Sequence, residues 1–226
     1  MSKLQNQLAA ILSDQLGDEA LGRSMAAHLL EVGANWVPPT IPMAKVDSLV
    51  AYAFGNRPRQ GPAPQKDAPL LDRLEEPGPV NAALAETVAA LNALRPVRIF
   101  AQWEVAYFLK TRHELSDVTS IEPVLNAAGE VIYLSTDGMA AAALAAGGGD
   151  LGTVAVIAHR DHAKRCVKVS RAAGMDAYVA ADIPLPSDYD PQSGQAWTRS
   201  REVYLLHDMA AQVMGLRAEA IGRVDC

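Results

Sequence analysis

The chain has 226 residues, of which 50% are hydrophobic and 20% are charged, so its composition is that of a folded globular protein. Its formal net charge of −6 leaves no basic excess to neutralise phosphates over a broad surface, which argues against nucleic acid as a partner. Its two cysteines, Cys166 and Cys226, form neither a disulfide framework nor a zinc-binding spacing. No apolar run reaches the roughly 18 residues of a membrane span, and the first residues lack a signal peptide's apolar centre. We therefore expect a cytoplasmic protein without a membrane partner.

The amino-terminal segment predicts two amphipathic helices. Apolar residues recur at helical spacing over residues 4–16 and again over residues 21–32, and Gly33 is a suitable helix end. The apolar stripes indicate either core contacts or a homodimer surface. A proline-rich connection follows, and we place the domain boundary after residue 45. Residues 1–45 are then an amino-terminal helical extension, and residues 46–226 form one α/β domain.

Strand and helix patterns alternate through the rest of the chain. Residues 56–79 interrupt the alternation with six prolines and two glycines, which predicts a long excursion or flap. The alternation predicts a Rossmann-like three-layer sandwich with a mostly parallel central sheet. The predicted strands are 46–54, 97–101, 118–124, 131–135, 153–158 and 177–181, and the predicted helices are 80–94, 102–112, 139–146, 162–173 and 197–214.

Residues 151–181 contain a complete strand, turn, helix and strand unit. Residues 153–158 are a continuous apolar run, typical of a strand buried on both faces, so Val154 and Ile157 should be buried. The turn HRDH, residues 159–162, follows at the strand end where open α/β sheets bind ligands. Asp161 is a suitable cap for the next helix. We expect that helix to offer backbone N–H groups and its dipole to an anion.

Several segments together resemble the YdcF/SanA/ElyC-like family of Rossmann-like domains. They are residues 47–57, the helix that contains Glu104, the STDGM segment from Ser135, and AHRDHAKRCVKVSRAAGMDAYVA. His162, Arg165 and Gly174 match the family's polar turn, helix arginine and glycine, and Glu104 resembles its glutamate after the middle strand. The resemblance covers about residues 46–182. It implies the fold and a bacterial source, with either a role in envelope assembly or binding of an adenosyl cofactor.

The candidate site residues follow the predicted strands. His159 and His162 are candidates for proton transfer, each with the alternative of a satisfied structural histidine, and Glu104 is a third candidate at the end of residues 97–101. A metal set of His159, Asp161, His162 and Cys166 lacks a supporting cluster, so we expect no metal. Arg199 and Arg201 are cations at a predicted helix start, which suggests an anionic ligand or a carboxylate from the loop of Asp188 and Asp190. The binding candidates are Arg165, Asn56, Arg57, Gln102, Thr136, Arg160, Arg199 and Arg201.

Two functions fit these features. The first is an enzyme, a transferase or hydrolase, that acts on a small anionic molecule, phosphorylated or nucleotide-like, with Arg165 holding the charge and a histidine moving a proton. The alternative is a non-catalytic protein that binds an adenosyl or nucleotide ligand, such as S-adenosylmethionine, in the same place. No nucleophile elbow or Walker loop occurs, and the triple glycine at 147–149 follows a predicted helix, so serine hydrolases and P-loop NTPases are poor candidates.

Overall fold

The computed structural model describes residues 2–62, 64–65 and 67–224 of the chain. Its helices are α1 (Lys3–Leu16), α2 (Glu19–Gly33), α3 (Leu70–Arg73), α4 (Pro79–Leu94), α5 (Trp103–Arg112), α6 (Thr136–Ala146), α7 (Arg160–Ala172) and α8 (Arg201–Val224). Its strands are β1 (Thr40–Ile41), β2 (Ser48–Ala51), β3 (Arg98–Gln102), β4 (Val118–Ile121), β5 (Val124–Leu125), β6 (Val131–Ile132), β7 (Thr153–Ile157) and β8 (Asp176–Ala180). Short 3-10 turns occupy Met43–Lys45 and Ala196–Thr198.

The central sheet has six strands in the order β1, β8, β7, β2, β3, β4, and every neighbouring pair is parallel. From β2 the chain moves outward through β3 to β4, and it then returns to build β7 and β8 on the other side. The direction of the connections therefore reverses between β2 and β7. In open α/β sheets the carboxyl ends of strands at such a reversal form a crevice. The predicted Rossmann-like α/β sandwich is confirmed.

The side chains of the central strands alternate between two apolar layers, because successive residues of a strand point to opposite faces. In β7, Val154 and Val156 pack into the layer that contains residues of α6 and α7. Ala155 and Ile157 pack into the layer that contains residues of α4 and α5. Val154 and Ile157 are both fully buried, which confirms the sequence prediction for this strand.

The strand boundaries differ from the predictions at the margins of the sheet. Strand β1, which was not predicted, comes from the proline-rich connection and pairs with β8 through Thr40 and Val179. The predicted strand 131–135 is only the short β6, which pairs with β5 in a separate antiparallel hairpin. Two residues are too few for a periodic pattern, so sequence periodicity cannot detect such strands.

The chain divides into two compact units. The larger unit is Pro38–Tyr204, and the smaller unit combines Met1–Val37 with Leu205–Cys226. In the smaller unit, α1 and α2 pack closely: a Cβ atom at Gly22 would collide with Ser13. Leu4 and Ile11 of α1 are exposed. The homodimer surface predicted for these helices stays a prediction.

The proline-rich excursion of the larger unit is joined at its two ends. Arg57 and Glu76 form an antiparallel bridge, and the Glu75 carboxylate accepts a hydrogen bond from the Arg59 backbone N–H at 2.6 Å. Residues 63 and 66 lie outside the described residues. The prediction that this excursion closes over a site as a flap stays a prediction. Across the described part of the chain, no helix is both long and apolar enough to span a membrane.

Candidate functional site at the carboxyl ends of the strands

The sequence had suggested Asp161 as the cap of α7, but the structure has His159 in this position. His159 Nδ1 accepts a hydrogen bond from the Asp161 backbone N–H at 3.3 Å. The Arg160 N–H donates to the Pro186 carbonyl at 2.8 Å, and the His162 N–H donates to the His159 carbonyl at 2.8 Å. The first-turn N–H groups that were expected to face an anion thus already have acceptors within the protein.

Asp161 lies in the first turn of α7 and supplies the negative charge that this helix end favours. Its carboxylate accepts hydrogen bonds from Arg160 at 3.2 Å, Arg201 at 3.0 Å and the Tyr189 hydroxyl at 2.8 Å. Burial alone would raise the pKa of Asp161, but the hydrogen bonds from Arg160, Tyr189 and Arg201 together lower it. Asp161 therefore connects α7, the loop that contains Tyr189 and the start of α8. We call Asp161, Arg160, Tyr189 and Arg201 the Asp161 cluster.

The imidazole of His159 is fully buried in an aromatic group. It stacks on Phe54, with ring centroids 4.0 Å apart and an interplanar angle of 14°, and Tyr189 approaches edge-on at 4.6 Å. Burial lowers the pKa of His159 to about 4, although the charge of Asp161 opposes this shift. Its Nε2 is buried without a hydrogen-bond partner. The ring is therefore neutral near pH 7, and it caps a helix and packs against Phe54.

Arg165 and His162 lie on α7, one helical turn apart. The Arg165 guanidinium donates to the Thr136 hydroxyl at 2.9 Å and to the Tyr204 hydroxyl at 3.3 Å. The His162 ring is nearly buried, and it lies 5.9 Å from Tyr204 and 6.2 Å from Phe54 between ring centroids. The structure thus places Thr136, at the start of α6, in contact with Arg165. That the two residues bind one substrate stays a prediction.

The arginine that follows β2 is neutralised within the protein. Arg57 makes two hydrogen bonds to the Asp190 carboxylate, at 2.7 and 3.1 Å. Next to it, the Asn56 carbonyl accepts hydrogen bonds from the Gly194 N–H at 2.7 Å and the Ser193 hydroxyl at 3.1 Å. The loop of residues 190–194 therefore lies on the carboxyl end of β2.

The two cations near the start of α8 hold this same region together. The helix begins at Arg201, and not at residue 197 as predicted, because residues 196–198 form a 3-10 turn. Arg199 donates to the Ser193 carbonyl at 2.7 Å, while Arg201 belongs to the Asp161 cluster. The carboxylate that pairs with Arg201 is therefore Asp161, and not Asp188 or Asp190 of the following loop. The predicted anionic ligand of these arginines stays a prediction.

Glu104 is a buried titratable side chain at the strand ends. It follows β3, in the first turn of α5, and is fully buried, yet neither of its carboxyl oxygens has a hydrogen-bond partner. Burial raises the pKa of Glu104 to about 8, and the charge of Glu122 raises it further, while the nearby Tyr133 hydroxyl opposes the shift. Glu104 is therefore protonated near pH 7 and can donate a proton.

The neighbours of Glu104 are polar groups from several elements. Gln102 is almost fully buried, and its Oε1 accepts a hydrogen bond from the Ala53 N–H at 3.1 Å. The side chain of Tyr133 lies close to Glu104, Gln102 and Gln195, and burial of its hydroxyl end raises its pKa. Tyr133 and Thr136 are three positions apart in the chain, so their Cα atoms are at most about 10 Å apart. The segment 133–136 therefore links Glu104 to Arg165.

The sequence did not indicate Tyr133, Glu122 or Tyr189 as members of this region. Tyr133 lay inside a predicted strand, and Tyr189 lay inside a polar loop. The sequence could have indicated Glu122, because this acidic residue directly follows β4. Acidic residues at that point of a parallel strand face the same edge of the sheet as Glu104.

Metal ligands are not gathered at this edge. Within residues 2–62, 64–65 and 67–224, no three His, Cys, Asp or Glu side chains are placed to hold one ion together. Cys166, which had been considered with His159 and His162, is buried.

Neither protein-family models, curated proteins nor solved structures give a match to this chain. The resemblance to the YdcF/SanA/ElyC-like family accordingly stays a prediction. The function is argued below from the geometry of the strand ends.

Proposed function

We propose that this protein is an enzyme, a transferase or hydrolase, that acts on a small anionic molecule at the carboxyl ends of its parallel strands. The observation that supports this proposal is Glu104, a carboxyl group that is buried, lacks a hydrogen-bond partner and has a pKa raised to about 8. Strongly perturbed carboxyl groups near strand ends are typical of general acids. A structural role alone would leave an unsatisfied buried group at a cost of about 1–3 kcal/mol.

In this proposal Glu104 donates its proton to the departing oxygen or nitrogen as the bond to the transferred group breaks. An acceptor, either water or a second substrate, forms the new bond, and its proton returns to the Glu104 carboxylate. Arg165, positioned by Thr136 and Tyr204, binds the anionic group of the substrate. Gln102 and Tyr133 orient the reacting part beside Glu104. His162 remains a second candidate for proton transfer because it neighbours Arg165.

One observation favours the alternative, a non-catalytic protein that binds an adenosyl or nucleotide ligand. Arg57, Arg160 and Arg201 each pair with a carboxylate of the protein, which reduces the positive charge that these residues offer to a phosphate. A site with so little free positive charge suits a ligand that carries little negative charge, such as S-adenosylmethionine. Turnover distinguishes the two functions, since a binding protein returns its ligand unchanged.

The first experiment is native mass spectrometry of freshly purified protein, which identifies a co-purified ligand by mass. Calorimetry with AMP and with S-adenosylmethionine, together with turnover of p-nitrophenyl phosphate, supplies defined probes. Arg165→Lys keeps the charge but loses the planar fork, so AMP affinity should fall about tenfold to a hundredfold. Arg98→Lys is the matched control, because Arg98 is exposed at the amino end of β3, on the opposite edge of the sheet.

Glu104→Gln separates catalysis from binding. The amide has nearly the shape of the protonated acid but has no proton to donate, so turnover should fall by at least a hundredfold while AMP still binds. His162→Gln tests the second candidate in the same way. Equal turnover in Glu104→Gln and the unmodified protein would contradict the role of Glu104. Binding without turnover of any probe would favour the alternative.

A further inference from the structure

A cavity of about 450 Å³ lies in the larger unit, between the excursion and α5. We call it the corner cavity. Its walls include the side chains of Trp103 and Tyr107 from α5, Leu74 from the excursion, and Ser120 and Glu122 from the end of β4. The volume is within the usual range of about 300–1,000 Å³ for small-molecule sites. It was not part of the site predicted from the sequence.

The charges that line the corner cavity are mainly negative. Four carboxylates face it, from Asp72, Glu75, Glu76 and Glu122, against two cationic side chains, from Arg59 and Lys110. The Arg59 guanidinium already donates to the Leu74 carbonyl at 2.9 and 3.2 Å. Because low-dielectric walls strengthen the field of such charges, the cavity favours a cation over a neutral or anionic molecule.

Glu122 places a carboxylate in the wall of the corner cavity, next to the end of β4. Its Oε1 accepts a hydrogen bond from the Ser120 hydroxyl at 2.6 Å, which fixes the position of the carboxylate, and the residue is only partly buried. A carboxylate oxygen that already accepts one hydrogen bond has a second lone pair for another donor. Glu122 can therefore accept a hydrogen bond from a cation in the cavity.

The aromatic residues in the cavity wall further restrict the class of ligand. Trp103 and Tyr107 lie on one face of α5, four residues apart, and Tyr107 is 50% exposed while Trp103 is nearly buried. Aromatic faces attract organic cations and cover their alkyl parts. We propose that the corner cavity binds a small organic cation, a primary ammonium on a short alkyl chain, whose N–H groups donate to Glu122 and whose chain packs against Trp103 and Tyr107. This proposal does not rest on the enzymatic function.

The test is calorimetry with n-butylammonium, with n-butanol as its neutral analogue and butyrate as its anionic analogue. Butylammonium should bind saturably in the millimolar range, as expected for so few heavy atoms, while the alcohol and the acid bind at least tenfold more weakly. Glu122→Gln removes the charge and should weaken butylammonium at least tenfold. Glu202→Gln, an equal charge change at an exposed position of α8 that does not line the cavity, should leave the affinity unchanged.

A second variant keeps the test decisive if Glu122→Gln fails to fold. Tyr107→Ala removes one aromatic wall at a half-exposed position, so folding should be kept and butylammonium should bind about threefold to tenfold more weakly. Equal affinity for butylammonium and butanol would overturn the proposal, because the cavity would then select only apolar shape. The absence of saturable butylammonium binding, or its displacement by millimolar Mg²⁺ through tighter binding of the metal, would overturn it as well.

Discussion

Glu104 and His159 are both fully buried titratable side chains, and burial favours the uncharged form of each. For His159 the uncharged form is the deprotonated one, so its pKa falls to about 4. For Glu104 it is the protonated one, so its pKa rises to about 8. Burial thus makes His159 a neutral helix cap and leaves Glu104 protonated near pH 7, although the sequence suggested the same proton-transfer role for both.

The raised pKa of Glu104 predicts a stability that depends on pH. The folded state binds this proton more tightly than the unfolded chain does, so the contribution is fully present below the ordinary pKa of 4.5 and is lost as the pH rises towards 8. Glu104→Gln has no proton to lose, so it should be more stable than the unmodified protein at pH 8.5 by roughly 2–5 kcal/mol, with little difference at pH 4.5. Urea unfolding at both pH values measures this. Glu86→Gln is the control, and an equal effect of Glu104→Gln at both pH values would contradict the prediction.

At the scale of elements, one carboxylate joins α7, the following loop and α8. Asp161→Asn keeps the size of the side chain but loses its charge and one of its two acceptor oxygens. Arg160 and Arg201 then lose their shared carboxylate, so the free energy of unfolding should fall by about 1–3 kcal/mol near pH 7. We expect faster proteolysis within residues 182–200, mapped by mass spectrometry.

The pKa of Asp161 is lowered in the folded protein, so this stabilisation is present above the ordinary value of 3.8 and is lost as the pH falls through the lower folded pKa.

The control for the proteolysis of Asp161→Asn is Asp188→Asn, an exposed change in the same loop, which should leave cleavage unchanged. Cleavage at the same rate in both variants would show that Asp161 does not hold the loop.

Another element-scale feature is the close approach of the loop 193–198 to the end of β2. Gly55 has φ +70°, and an added Cβ would lie 2.6 Å from the Thr198 hydroxyl and 2.7 Å from that of Ser193. Gly148 has a similar φ of +77° but no neighbour within 4 Å, so it isolates the backbone contribution. Gly148→Ala should cost about 1 kcal/mol, and Gly55→Ala should cost about 1–3 kcal/mol more. Thermal unfolding measures the stability of both variants. Equal losses of stability in Gly55→Ala and Gly148→Ala would mean that the loop 193–198 can move aside.

At the scale of the whole molecule, the two apolar layers that pack on the sheet consist of residues of the larger unit. Their members lie between Ile41 and Tyr204, with none from α1 or α2. A chain that begins at residue 38 should therefore keep the parallel sheet. Slow amide exchange of β2 and β7, equal to that in the full chain, is the expected result. Rapid exchange in these two strands would show that the sheet needs residues 1–37 to fold.

Local periodicity was enough to predict the α/β class, the unit of residues 151–181, and the burial of Val154 and Ile157. The reason is that a strand buried on both faces and its following helix each repeat their pattern within a few residues. The same local reasoning placed Glu104, Gln102 and Thr136 at strand or helix boundaries, which is where the structure has them.

Only the tertiary structure decided how the charged residues are used. Arg57 and Asp190 pair across 133 positions, and Arg201 reaches Asp161 across 40, so no local pattern relates them. The pKa of Glu104 likewise depends on Glu122 and Tyr133, which come from other parts of the chain. Residue types and spacing specify which groups can ionise, but the free energy of an ionised group depends on its surroundings, and these are set by distant parts of the chain.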